Sequence, residues 1–409
     1  MLFKNSLLLL FLSSLTMATS AQTFVGSWRV ALETPGGELP FYLEIYEEGA
    51  ILMAALLNGE EQLVTADISI EKETLIIYSS VFHSALTINL DSTGRALTGS
   101  WQDFSRGPDY ALPLTGIKDD HYRFFEHPDP PAANISGNWK TIFDAEGAAT
   151  PAIGLFEQEG NHLTGTFLTA TGDYRFLEGE MSGSAFRLSA FDGAHAFLFT
   201  GEIKEDGTLE GQFYSGNHWQ EPFVCNREEN FQLPSPDSLT TLDGEALSFC
   251  FPDATGKEVC LRDERFRNKV IIVQIMGSWC PNCMDESEYL ADLHEKYRDE
   301  GLEIIALAFE RETDAEAVAA NFERLRKKFG ITYPMLLAGN ASKKTASEAL
   351  PQLNKVIAYP TTILIDRDGR VQYIHTGFNG PATGSLFLTF RAKMEGLIES
   401  LLQHFLMIF

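Results

Sequence analysis

From Phe24 to about Gly116, apolar and polar residues alternate, and Gly, Asn and Asp interrupt them at short intervals. A period of two is that of a strand with one buried face. "FYLEIYEEGAILMAALLNGEE" therefore predicts strand, turn, strand, turn, and "LIIYSSVFHSALTINLDSTGRALTGSW" continues in the same way. The stretch from about Asn134 to Asn226 repeats the arrangement. Gly26-Ser27-Trp28 returns as Gly137-Asn138-Trp139, Pro40 as Pro151, Gly49 as Gly160 and Leu52 as Leu163, at a constant offset of 111 residues. "LTGSW" (97–101) returns as "LEGQF" (209–213), one residue out of register, as a small loop insertion would produce. The pattern predicts an internal duplication of an antiparallel β unit, residues 22–118 and 133–230, joined by the proline-rich "HPDPPAAN". Two barrels, a sandwich or one fused sheet would each satisfy it.

Beyond "FQLPSPDS" (231–238) the pattern changes to strands alternating with helices. "VIIVQIMG" is a continuous apolar run, expected of a strand covered on both faces. "MDESEYLADLHEKYRDE" carries Tyr289, Leu290, Leu293 and Tyr297 at helical spacing. "LEIIALAFE" is strand again, "DAEAVAANFERLRKKFG" is a helix ending at glycine, and "TTILIDRDGRVQYIHTG" is a hairpin turning at Asp368-Gly369. "TFRAKMEGLIESLLQHF" predicts a closing helix. Residues 238–409 thus form an α/β domain with a mainly parallel sheet and an antiparallel edge hairpin.

The N-terminus changes how the rest is read. Lys4, the apolar run Leu7–Leu15 and the small residues before Ala21 have the layout of a secretory signal peptide, residues 1–21, cleaved after Ala21. The run is too short to span a bilayer, and no other segment is long and apolar enough, so no transmembrane segment is expected after cleavage. The expected location is periplasmic or otherwise extracytoplasmic. The composition, 44% hydrophobic and 22% charged, is that of a folded protein, and a net charge of −26 argues against a nucleic-acid partner. In an oxidising compartment, the five cysteines (225, 250, 260, 280 and 283) become candidates for pairing.

Cys280 and Cys283 stand in "GSWCPNC", where an apolar strand runs into a helix. A cysteine at a helix N-terminus faces unpaired backbone N–H groups and the positive end of the helix dipole, which favour its thiolate. Cys280 is then the nucleophile and Cys283, one turn on, the thiol that resolves a mixed disulfide. Pro281 suits the first helical turn, where no donor is needed. A zinc site would want a second ligand pair, and neither a second C-x-x-C nor a nearby H-x-x-H exists, so no metal is expected. No cofactor is expected beyond the dithiol itself.

"GSWCPNC" followed by "AYPTTILIDRDG" (358–369) resembles the thioredoxin fold of the TlpA/ResA-like exported thiol–disulfide oxidoreductases, over roughly residues 238–405. The resemblance implies that Trp279 covers the active-site cysteines and that Pro360 is a cis-proline facing them. It implies that the backbone of Tyr359 and Thr361 pairs with an extended substrate chain. It also implies that Glu286 relays protons near the dithiol; on the sequence alone, Asp285, Glu286 and Glu288 read equally as a solvated helix face. Ser287 stands where the family commonly has a helix-kinking proline. The expected activity is reduction of protein disulfides, with protein thiols and disulfides as substrates and a membrane thiol as electron donor. A dithiol oxidase or isomerase is the alternative, as is a module in which the β region targets the redox domain to one client. The expected architecture is multidomain, a duplicated antiparallel β region before an α/β thioredoxin fold.

Cys250 and Cys260 flank the turn "FPDATGKEV" and face one another if it is centred near Thr255, a geometry that permits a cross-strand disulfide. Cys225 is then left over, near the last strand of the second β unit. The opening Gly-x-Trp of each unit resembles the first-strand signature of lipocalin-type barrels; a tryptophan closing a barrel floor as core accounts for it equally. The histidines show no ligand spacing, and none adjoins the cysteine motif in sequence. The apolar C-terminal "LLQHFLMIF" is expected to pack on the α/β domain.

Overall fold

The structure is a computed structural model and describes residues 23–145, 147–244 and 246–403. The expected signal peptide and the last six residues of the chain lie outside the described residues.

Alternation produces two separate nine-stranded antiparallel sheets, each a meander that curls on itself. In the second, strand Ala148–Glu159 pairs with both Gly137–Ala145 and His162–Thr169, and His162–Thr169 also pairs with Leu177–Ser182, so the ladder closes into a barrel. In the first, the equivalent strand Ile51–Asn58 pairs instead with Glu61–Thr65, which ends the ladder opposite Ile68–Glu71. One copy is closed and the other is split along a seam.

The duplication extends to single bonds. Trp28 Nε1 donates to the Phe24 carbonyl at 2.9 Å, and Trp139 Nε1 to the Ile135 carbonyl at 2.8 Å. Ala31 pairs with Pro40 as Ile142 pairs with Pro151. The lumen of the second barrel is not an empty cup. Phe143, Phe167, Phe199, Phe213 and Phe223 fill the second barrel with edge-to-face and stacked contacts, and each fully buried ring contributes roughly 1.5–3 kcal/mol. Cys225 is buried there, accepts a hydrogen bond from Thr141 Oγ1 at 3.3 Å, and burial pushes its thiol up to about 12.

The barrels share a core. Phe191 of the second packs against Phe41 (4.5 Å) and Trp101 (5.2 Å) of the first, and its backbone is held at both N–H and C=O by the Asn58 side chain. The linker adds Arg123, whose buried guanidinium pairs with Glu178 at 2.6 Å.

The α/β domain has a five-stranded sheet in the order Met335–Asn340, Leu302–Glu310, Val270–Met276, Thr361–Ile365, Val371–Thr376. The first three strands are parallel and the last two form an antiparallel hairpin. Helix Pro281–Tyr297 buries Tyr289, Leu290, Leu293 and Tyr297, and Ala315–Phe329 ends at Gly330 in the left-handed region (φ 68°). This domain does not complete its core alone. Val81 and Phe82, from the loop before strand Ser84–Leu90 of the first barrel, belong to the same buried cluster as Met284, Phe322 and Leu325.

Cys250 and Cys260 are directly paired residues of a short hairpin, with Cα atoms 4.0 Å apart, and their sulfurs are bonded. No helix among the described residues is long and apolar enough to cross a membrane.

Candidate active site

Strand Val270–Met276 ends at the turn Gly277-Ser278-Trp279, and Cys280 is the N-cap of helix Pro281–Tyr297. The Cys283 N–H points at Cys280 Sγ across 3.3 Å, and the two sulfurs are bonded. Pro281 occupies the first helical turn. The end of the strand and the start of the helix thus place one sulfur over the unpaired N–H groups of the helix.

The remaining residues expected at the site come together from distant parts of the chain. The Tyr359–Pro360 peptide is cis, and Cys280 Sγ lies 3.5 Å from the Tyr359 carbonyl oxygen. Thr361 begins the adjacent strand and is fully buried, its hydroxyl donating to the Ala358 carbonyl. Trp279 donates to the Phe309 carbonyl at 2.9 Å and meets the Tyr359 ring edge-on at 5.6 Å.

The acidic run is not a solvated face. Only Glu288 is exposed, Asp285 is half-buried and Glu286 is buried. Glu286 accepts from Gln274 Nε2 at 2.9 Å and from the Thr362 hydroxyl, and Gln274 Nε2 also reaches the Cys283 carbonyl at 3.3 Å. Burial pushes Glu286 up to about 7, against the pull of those two donors. Ser287 bonds back to Gln274 and the helix runs on without interruption through Tyr297.

Several residues at the site were not singled out from the sequence. Loop 171–175 of the second barrel lies on the cysteine turn. Asn282 donates to the Asp173 backbone and side chain and to the Phe378 carbonyl, at 3.2–3.3 Å. A Cβ on Gly172 would sit 2.5 Å from the Asn282 amide nitrogen, so glycine permits this approach. Two residues on, Arg175 is buried among carboxylates from all three bodies: Glu61 of the first barrel, Asp192 of the second (3.1 Å) and Asp285 of the redox helix (2.7 Å). Burial pushes Asp285 up to about 7 despite Arg175. It would raise Asp192 as well, but His195 and Arg175 outweigh it and hold that carboxyl at about 2. From the other side, Arg311 covers Trp279 (4.9 Å to the ring) and donates to Ser105 of the first barrel at 2.6 Å.

As a result Cys283 is fully buried and Cys280 keeps only 6% of its surface exposed. That surface opens into a cleft of about 830 Å³ between the redox domain and the barrel rims. His195 and His218 line this cleft, so histidines remote in sequence do stand near the cysteine turn. Burial, with Arg106 and Arg311 close by, lowers His218 to about 4 and keeps it neutral at pH 7.

Part of the chain is similar to known proteins. A Redoxin family model matches residues 241–385. Over 138 residues the chain is 33% identical to a thiol-disulfide oxidoreductase ResA of Bacillus cereus, covering 34% of this chain and 70% of that protein. It is 30% identical over 132 residues to a ResA of Geobacillus thermodenitrificans, covering 32% of this chain and 67% of the relative. A solved thiol:disulfide interchange protein of the thioredoxin family from Chlorobium tepidum matches with a TM-score of 0.30 at 19% identity, over 40% of this chain and 98% of that one.

Proposed function

Through its C-terminal domain the chain belongs to the ResA family of thiol-disulfide oxidoreductases, and from that premise we propose that it is exported and reduces protein disulfides through Cys280 and Cys283. The observation that carries this reading is the position of Cys280 Sγ, capping a helix with the Cys283 N–H aimed at it. A thiolate there is stabilised by the helix N-terminus and attacks one sulfur of a substrate disulfide, leaving a mixed disulfide on Cys280. Cys283 then attacks the Cys280 sulfur, releases the substrate thiol and closes the internal disulfide. Glu286 takes the proton from Cys283 in this step. Its value of about 7 supports the role, because both protonation states are then populated near neutral pH. The Tyr359 carbonyl beside Cys280 supports pairing of the 359–361 backbone with the substrate chain. Export is supported by the N-terminal signal layout. The reducing direction, fed by a membrane thiol donor, follows the family resemblance; a midpoint potential measured against glutathione separates it from an oxidase or isomerase.

The test is trapping in cells. Cys283→Ser should accumulate mixed disulfides on Cys280 that dithiothreitol releases, and Cys280→Ser should accumulate none. Equal trapping by the two variants would remove the assignment of nucleophile and resolving thiol.

A further inference from the structure

The walls of the cleft at Cys280 come from all three bodies, and they differ in character. Near the sulfur lie Trp279 and Tyr359 of the redox domain; facing them are Tyr174, Phe213 and Trp219 of the second barrel. Trp219 is 47% exposed, and its Nε1 donates to Glu221 at 3.1 Å, which fixes the ring at the rim. The cleft lining carries no excess of cations, with Asp103, Asp173 and Glu221 set against Arg106 and Arg311. Asp103 pairs with Arg106 at 3.0 Å and lies 3.8 Å from Arg311, and Glu221 is occupied by Trp219.

Such a wall does not select small anionic thiols, which would call for an uncompensated cation. It matches the apolar side chains and neutral backbone on either side of a cysteine, to which aromatic rings give contact area at low entropy cost. Size excludes the other extreme. A 100-residue domain has a radius of gyration of about 13 Å and does not fit a cleft of about 830 Å³, so its disulfide meets a sulfur that is 6% exposed only where the segment carrying it projects from the fold.

We propose that the two β barrels supply the far wall of the substrate site, which takes a cysteine-bearing segment of extended polypeptide, with Trp219 stacking on a residue beside the cysteine, and excludes folded domains. This rests on the thiol–disulfide exchange proposed above and specifies its substrate class.

The test uses the full chain, reduced with dithiothreitol and desalted, and one leaving group in three settings: dithiodipyridine itself, and thiopyridyl mixed disulfides on an unstructured peptide with Phe beside its cysteine and on the surface of a folded protein. The Cys280 thiolate attacks the peptide sulfur, the peptide–pyridine S–S bond breaks, and pyridinethiolate leaves and takes up a proton. Cys283 then attacks the Cys280 sulfur and expels the peptide thiolate. Two electrons pass from the dithiol to the probe, and pyridinethione absorbance reports the rate.

The folded carrier should react slowest of the three. Trp219→Ala should lower the peptide-to-dithiodipyridine ratio of second-order rate constants for this single turnover about tenfold, the worth of one aromatic contact, and Trp219→Phe should restore most of it. An unchanged ratio in Trp219→Ala, or a folded carrier as fast as the peptide, overturns the proposal. If the native chain reacts with none of the probes, the exchange activity itself fails and the proposal with it.

Discussion

Glu286 shows how much one carboxyl can decide. Its ordinary value is 4.5, and burial raises it to about 7 in the folded protein. The folded state therefore holds a proton that the unfolded chain gives up between those values. The associated stability is complete below about pH 4.5 and is lost as pH rises through about 7, to a total of about 3 kcal/mol. Urea unfolding should show stability falling between about pH 5 and about pH 8. Glu286→Gln keeps the hydrogen-bonding side chain without the titration and should reduce that slope, leaving the share of Asp285, which is also raised to about 7. An unaltered slope in the variant would mean that Glu286 does not titrate in this window. The sequence shows three acidic residues in four positions, but not which of them is buried. That depends on Gln274 of the central strand and on Thr362, paired with it on the adjacent strand, and for Asp285 on Arg175, which lies 110 residues earlier.

Among the elements, those governed by local pattern were the most legible. Alternation gives the meanders, continuous apolar runs give the covered strands, and the strand-to-helix turn at "GSWCPNC" places Cys280 at a helix cap. The seam in the first barrel was not legible, because both copies alternate alike and differ only in which neighbour Ile51–Asn58 and His162–Thr169 accept. The short hairpin Cys250–Pro252 and Glu258–Cys260 offers a direct test at this scale. Strands this short are marginal by themselves, and a bond closing so small a loop removes unfolded-state entropy worth about 3 kcal/mol. The double change Cys250→Ser, Cys260→Ser should lower the denaturation midpoint by up to that amount while leaving dithiodipyridine turnover intact. Loss of turnover with an unchanged midpoint would instead place this pair in the electron path.

At the scale of the whole molecule, Arg175 is where the three bodies meet. Removing a buried partner leaves the others uncompensated, which costs about 3–5 kcal/mol, whereas surface ion pairs contribute little. Arg175→Met should therefore lower stability by that order and open the barrel–redox boundary to limited proteolysis, with the loss largest at pH values where Asp285 is ionised. A variant as stable and as protease-resistant as the native chain would show that apolar contacts alone fix the arrangement. None of these contacts has a sequence signature, since each joins residues that become neighbours only after the bodies dock.

The loop carrying Val81 and Phe82 has a consequence for how the molecule comes together. Val81 and Phe82 lie in the same buried cluster as Met284, Phe322 and Leu325, so the redox domain lacks part of its core until the first barrel is beside it. The first barrel in turn draws Phe191, Ala196 and Leu198 from the second. The three bodies therefore depend on one another to close their cores, and the reactive turn at Cys280 reaches its sheltered state only when they have come together.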